Sequence, residues 1–268
     1  MKLPIPIKDS DKRYSEITII RPKVGVIAET QKLVQSDRYN AICNFLAGSI
    51  IEIDGITDKT IIKSLIRKMP FKSAEVAIIK IMLLLNSEDG IEGYYPCPRC
   101  DNAVISEKKG DGDSVIDTRD FISGLQITYT DETEINFQLS EPSQVVNAST
   151  GEAVSTMQSI KMVHPTLEHC MRAFQKVGGV DEMKLQLAIY VEATIEVDGR
   201  AVDNSWRNMY GMLLFWNIPN IQDLMKLKKL IEEFGIDKRV TKHCPVCGNE
   251  WRAVINTSNF FVFAVMPA

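Results

Sequence analysis

The 268-residue chain has no run approaching the roughly 18 uninterrupted apolar residues that a spanning helix needs. Its opening stretch, MKLPIPIKDSDKRYSE, contains no apolar core of signal-peptide length. Neither a membrane span nor secretion by that route is therefore expected. Basic charge is not in excess either, since 31 Lys and Arg face 35 Asp and Glu, for a net charge of −4 and a pI near 5.6. Phosphate affinity rests largely on a surplus of Lys and Arg on one surface, so nucleic acid is not the expected partner. Histidine is scarce, at three residues, and no phosphate-cradling glycine loop or Ser-His-Asp arrangement can be picked out. No catalytic or cofactor-binding residue is assigned, and the chain is not expected to be an enzyme. The apolar content of 45 % is enough for a packed core in one large domain or two small ones.

Cysteine is the informative residue. In a reducing cytoplasm six cysteines read better as four metal ligands plus two buried thiols than as three disulfides. Four of them form two Cys-Pro-x-Cys motifs, Cys97 with Cys100 and Cys244 with Cys247. Zinc takes deprotonated sulfur ligands in a tetrahedron, and two cysteines separated by two residues turn both sulfurs toward one ion. Pro98 and Pro245 limit backbone freedom inside each motif. Gly248 suits the left-handed conformation that points amides at sulfur, and Asp101 stands in the matching place, where Asp is tolerated better than most residues. A structural zinc held by Cys97, Cys100, Cys244 and Cys247 is the expectation. A redox pair is disfavoured because no βαβ context surrounds either motif. His243 adjoins Cys244 and reads as a solvated neighbour rather than a fifth candidate ligand.

The two motifs end similar stretches of sequence. Gln31 to Gly55 aligns without a gap on Gln175 to Gly199, with seven of 25 positions identical, including the Ile-Glu-x-Asp-Gly ending. From Gly55 to Cys97 is 42 residues, and from Gly199 to Cys244 is 45. ITIIRP ending at Pro22 corresponds to SIKMVHP ending at Pro165. The expectation is an α+β protein of two homologous helical-plus-strand halves joined by a zinc-ribbon-like site. The boundaries are 1–103 for the first repeat, 104–158 for a β-rich insertion and 159–268 for the second repeat with its apolar tail.

Local signals fill in these units. A strand stops near Pro22, a helix follows from about Ile27 to Val34, and Asp37 caps the next. IIEIDG is a strand and turn. Thr57 or Asp58 caps a helix that Pro70 ends, and Ser73 opens an apolar one. In the insertion, LQITYTDETEINFQLS reads as one hairpin and VVNASTGEAVSTMQSIKMV as a second, turning at Ser149, Thr150 and Gly151. Thr166 and Asp203 or Asn204 cap later helices, one of them rich in Trp and Met from Trp206 to Trp216, for which a core role is the first reading. His164, His169 and Cys170 lie close in sequence, but a strand exit and a buried helix face explain them without a nucleophile. Glu52 with Asp54 and Glu196 with Asp198 read as a turn or solvated face rather than an acid and base. Phe260, Phe261, Val262, Phe263, Val265 and Met266 make an apolar tail that is costly to expose, so a protein interface is expected there.

The segments ITIIRP, SIIEIDGI, YYPCPRC, VHPTLEHCMRAF and KHCPVCGNEW together resemble the baseplate hub and tail-assembly proteins of contractile-tailed, T4-like bacteriophages, and the first 56 residues are similar to their short tail-assembly chaperones. The resemblance implies a non-enzymatic virion tail or baseplate component, assembled in the host bacterial cytoplasm and binding other phage tail or baseplate proteins. The competing reading is a zinc-ribbon nucleic-acid-binding or transcription-related protein, which the motifs fit and the acidic balance does not.

Overall fold

The computed structural model describes residues 1–34, 36–85, 94–101, 103–105, 126–236, 239–244 and 246–254. They form a mixed α/β architecture of helices and several small sheets. The chain opens with the hairpin β1 (Lys2–Asp9) and β2 (Lys12–Ile19), followed by α1 (Val24–Val34), α2 (Arg38–Ala47), β3 (Ile50–Ile53), α3 (Lys59–Lys68) and α4 (Phe71–Leu85). A short hairpin, β4 (Tyr94–Pro96) and β5 (Ala103–Ile105), carries the first cysteine motif. After β6 (Ile127–Thr128) comes a hairpin of β7 (Glu134–Val146) and β8 (Ala153–Val163), then α5 (Leu167–Val177), α6 (Glu182–Ala193), β9 (Thr194–Val197) and the short β10 (Arg200–Ala201). One continuous helix is α-helical as α7 (Asn204–Trp206), π-helical over Arg207–Gly211, and α-helical again as α8 (Met212–Trp216). It leads to α9 (Ile221–Glu232), β11 (Gly235–Ile236) and the hairpin β12 (Arg239–His243) and β13 (Glu250–Val254) with the second motif.

Hairpin, two helices, strand, helices and cysteine hairpin thus occur twice in one order. The strand registers repeat as well. Ile17 faces Ile53 and Thr18 faces Glu52 before a bulge brings Ile19 to Ile50. Ile160 faces Val197 and Lys161 faces Glu196 before a bulge brings Met162 to Thr194. Each third strand ends in an Asp-Gly pair with left-handed backbone, Asp54 and Gly55 at φ 43° and 82°, Asp198 and Gly199 at 50° and 74°. The aspartates tolerate that conformation because each carboxylate accepts two amides of the neighbouring strand: Ser15 and Glu16 at 2.7 and 2.9 Å, Gln158 and Ser159 at 3.0 and 2.7 Å. The expected turn is therefore the one formed, and these carboxylates are structural acceptors. Helix caps fall where the sequence puts them at Asp37, Asp58, Thr166 and Asp203, and Asp181 caps a further helix, each accepting a first-turn amide.

Several features differ from the sequence reading or lie beyond it. Residues 2–9, to which the sequence reading assigns no element, form an edge strand despite Pro4 and Pro6, because the β1–β2 register breaks between Lys2 and Ile7 and frees the prolines from ladder bonding. That edge is closed from elsewhere. The Ser73 hydroxyl accepts from Ile5 N at 3.0 Å and donates to Ile5 O at 2.7 Å, so Ser73 sits in the first turn of α4 rather than opening it. The first expected hairpin of the insertion does not form: Ile127–Thr128 pairs with Gly235–Ile236, and Glu134–Val146 pairs with β8. The second hairpin does form, but β8 continues into pairing with β9, so the expected boundary at residue 158 falls inside a strand. Residues 106–125, in the expected insertion, and the apolar tail from Phe260 to Met266 lie outside the described residues.

Two cores result. One gathers β1–β3 and α2–α4 with Leu167, Cys170, Met171 and Ala173 of α5. The other packs β7–β9 against α6, α8 and α9 through Leu187, Tyr190, Leu214, Phe215 and Leu227. The halves are tied by backbone as well, since Phe71 N donates to Pro165 O at 2.7 Å and Leu167 N donates to Met69 O at 3.0 Å. At this junction His164 is buried edge-on to Phe234, with ring centroids 5.7 Å apart, and among the described residues neither ring nitrogen meets a hydrogen-bond partner.

Burial holds the His164 pKa down to about 4, and burial with the nearby Arg172 and Arg207 does the same for His169. The unfolded chain takes up protons at both sites below pH about 6.5 and the folded chain does not, so stability falls as pH drops from about 6.5 toward 4. The unfolding free energy from urea titration should be lower at pH 5 than at pH 7, by on the order of 2 kcal/mol per histidine, and His164→Phe should remove about half of the loss. Equal acid sensitivity in the wild type and the variant would contradict a buried neutral imidazole at this position.

Candidate metal centre

Each cysteine motif is the turn of a hairpin. Pro96 pairs with Ala103 across the first and His243 with Glu250 across the second, leaving six residues in each turn, CPRCDN and CPVCGN. Both turns close alike, Asp101 N donating to Cys97 O and Gly248 N to Cys244 O, each at 2.9 Å. Both donors are left-handed, at φ 57° for Asp101 and 69° for Gly248, as the two residue types suggest. The repeated geometry folds each pair of sulfurs to one side of its turn.

The two turns meet face to face although 143 residues separate Cys100 from Cys244. Two connections direct this meeting. α5 of the second half packs on α2, α3 and α4 of the first, and β11, just before β12, lies against α4, whose far end leads toward β4. All four sulfurs of Cys97, Cys100, Cys244 and Cys247 lie within 4.8 Å of one another. Contacts cross between the turns, Cys97 to Cys247 at 3.7 Å and Cys100 to Cys244 at 3.5 Å. A disulfide would need about 2.05 Å, and all four are free thiols. A zinc ion with Zn–S bonds of about 2.3 Å sets tetrahedral S···S edges of about 3.8 Å, so the observed contacts match the spacing of a four-thiolate site.

The electrostatics fit a site that wants a cation. Burial raises the Cys97 thiol, but the amides of Arg99 and Cys100 and the Cys247 sulfur outweigh it and hold its pKa below the usual thiol value. The Asn249 amide lowers Cys247, but burial and the sulfurs of Cys100, Cys244 and Cys97 push it up to about 12. Cys97 and Cys244 are buried and Cys100 and Cys247 half-buried, a closed shell that suits a structural ion rather than one with an open position for water.

Asn249 is the residue sequence reasoning missed. Its carbonyl accepts from Cys244 N at 2.8 Å and its side-chain amide reaches Cys97 Sγ at 3.8 Å, crossing from one turn to the sulfur of the other. The shared Cys-Pro-x-Cys-x-Asn pattern was the available signal. His243 is exposed and faces Glu250 at 3.6 Å, away from a ligand role. The residues weighed and set aside as a nucleophile group have structural places. Cys170 is buried in the first core, where burial drives its pKa well up, and His169 completes a capping box with Thr166. Burial likewise pushes Cys43 up to about 11, against Met171. Among the described residues no helix is long and apolar enough to cross a membrane.

No protein-family description, no curated protein and no solved structure matches the chain. What the site can do rests on its own geometry.

Elemental analysis of protein purified without added metal should find about one zinc per chain. Cys97→Ser and Cys244→Ser should each lower the midpoint of a single unfolding transition by about 10 °C or more, because lost metal affinity is lost folding free energy. A fully folded, metal-free wild type would refute the site, and a transition in which only one half is affected would refute the clamp between halves.

Proposed function

We propose that the protein is a non-enzymatic structural or assembly component in which two halves of common origin are clamped by one four-thiolate zinc. The observation that carries this reading is the pairing of sulfurs across the two turns, at 3.5 and 3.7 Å, by motifs 143 residues apart. A closed shell of four thiolates has no position for substrate, so its chemistry is to hold shape. The repeated order of elements, the repeated β2–β3 and β8–β9 registers and the paired Asp-Gly turns support descent from one duplicated zinc-knuckle unit.

Its place of work, on this reading, is the baseplate hub region of a contractile phage tail. The support is the sequence resemblance carried by the proline-ended strands and the two cysteine turns, and the protein acts there by binding other tail proteins after assembly in the host cytoplasm. Sedimentation of extracts from phage-infected cells provides the test. The protein should travel with tail or baseplate intermediates and with their protein subunits after crosslinking. A protein that runs free of every tail species would overturn the assignment. So would oligonucleotide binding whose logarithm falls steeply with the logarithm of salt concentration, the mark of a zinc-ribbon nucleic-acid protein.

A further inference from the structure

Within the chain, a helix of one half is seated on a face of the other. The face lies at the start of α2, the end of α3 and the start of α4. There Tyr39, 5 % exposed, is packed between Phe71 and Phe174 with ring centroids 6.2 and 5.9 Å away. Met171 Sδ meets Cys43 Sγ at 3.8 Å, and Leu167 N bonds the carbonyl of Met69. The occupying stripe on α5 is therefore Leu167, Cys170, Met171 and Phe174.

The corresponding face of the second half carries no such helix among the described residues. Met183 takes the place of Tyr39 in α6, and Ile221, the first residue of α9, takes the place of Phe71. The alignment of α4 with α9 is supported by their third residues. Ser73 bonds the irregular edge of β1 at Ile5, and Asp223 bonds that of β7 at Ser140, accepting its amide at 2.7 Å and its hydroxyl at 2.6 Å. Met183 is 50 %, Ile221 57 % and Trp216, at the end of α8, 59 % exposed, three large apolar side chains at the three helix ends that form the face in the first half.

The outer side of the matching helix carries an exposed apolar side chain too. α1 meets α2 of its own half through Val26, which lies against Gly48, and through Thr30, which Asn44 reaches at 3.5 Å. The positions equivalent to the α5 stripe are Val24, Ile27, Ala28 and Gln31. Val24 is 82 % exposed, and Ala28 and Gln31 are exposed as well. One interface is thus made once inside the molecule, and its two complementary parts recur, helix in the first half and face in the second, with Val24 on the one and Met183, Trp216 and Ile221 on the other exposed.

We propose that α1 of a second copy of this chain seats on the Met183, Trp216 and Ile221 face, continuing between molecules the contact that α5 makes within one. The inference rests on reading the halves as one repeated unit. The contact is heterologous, so copies join head to tail and form a ring where the rotation closes and a filament where it does not. It is weaker than its internal counterpart, because Val, Ile, Ala and Gln replace Leu, Cys, Met and Phe. One helix against three helix ends falls below about 1,200 Å² of total buried area, the range of transient assembly.

Sedimentation equilibrium of the full zinc-loaded chain from about 1 to 200 µM should show association in the micromolar range. Val24→Asp and Trp216→Asp should each weaken it about tenfold or more. Both side chains are exposed in the monomer, so far-UV circular dichroism and zinc content should stay as in the wild type. Each variant keeps one intact partner surface, so an equimolar mixture should give dimers and nothing larger. A wild type monomeric throughout the range overturns the proposal, as does association that survives both substitutions. A chain ending at Val254 should still associate; if it does not while Val24→Asp does, the C-terminal segment is the occupant and the proposal falls. A folded, zinc-loaded monomer would overturn the docking and leave the clamp standing, whereas a zinc-free wild type that associates through Val24 and Trp216 would support the docking and sink the clamp.

Discussion

Four sulfur atoms within 4.8 Å of one another constrain everything that precedes them in the chain. As thiolates they repel, and as thiols they leave weak donors in a place where two hairpin turns have been brought together at entropic expense. The arrangement makes sense when a divalent cation is the fifth member. Holding a cation there would require both turns to arrive with the right faces forward, an arrangement that goes with α5 sitting on α2, α3 and α4 and β11 lying along α4. The half-to-half packing and the sulfur cluster are two ends of one constraint.

Each half meets that constraint with the same small devices. A bulged edge strand is held by the third residue of the fourth helix, Ser73 in one half and Asp223 in the other. The substitution of an ionised group for a hydroxyl has a physical effect: the Ser140 hydroxyl and amide hold the buried Asp223 carboxyl below its ordinary pKa, and Lys226 stands 3.6 Å away. Charge-assisted hydrogen bonds are stronger than neutral ones, and β7 is the longer strand to be held. On α6 the buried Glu192 is similarly met by Lys176 at 2.6 Å and Arg172 at 3.6 Å, linking neighbouring helices of the second half.

Much of this was legible in the sequence because the signals were local. Asp and Thr caps, the Asp-Gly turn and the Cys-Pro-x-Cys spacing are read within four or five residues, and each landed where expected. Along the alignment of Gln31–Gly55 with Gln175–Gly199 the helix and strand starts coincide from Asp37 onward. Before that the structure shifts it by one, because α1 and α5 both span 11 residues and the loop after α5 is one longer. What the sequence hid was non-local. Pro4 and Pro6 argue against a strand unless one knows that Ser73 will hold its edge, and Ile127–Thr128 looks like half of a hairpin unless Gly235–Ile236 is known to arrive. The shared motif marks the Asn249 position, but its role was hidden for the same reason, since its amide serves a sulfur 152 positions away.

The π-helical turn at Arg207–Gly211 gives the second half a mechanical freedom that α3 of the first does not have. A π turn holds one residue more than the α-helical turn it replaces, so the segments before and after it, α7 and α8, are out of phase by about 100°. Gly211, buried where an added Cβ would lie 2.6 Å from Val191, keeps the widened turn close to α6. The azimuth of Trp216 is thereby decoupled from that of Trp206, which Asp203 caps at 2.7 Å. A single-residue deletion there would relax the helix to ordinary pitch, leave the capped end in place, and swing the far end round by more than a quarter turn. In lineage terms, one codon is a dial on the direction in which the molecule's outermost tryptophan points.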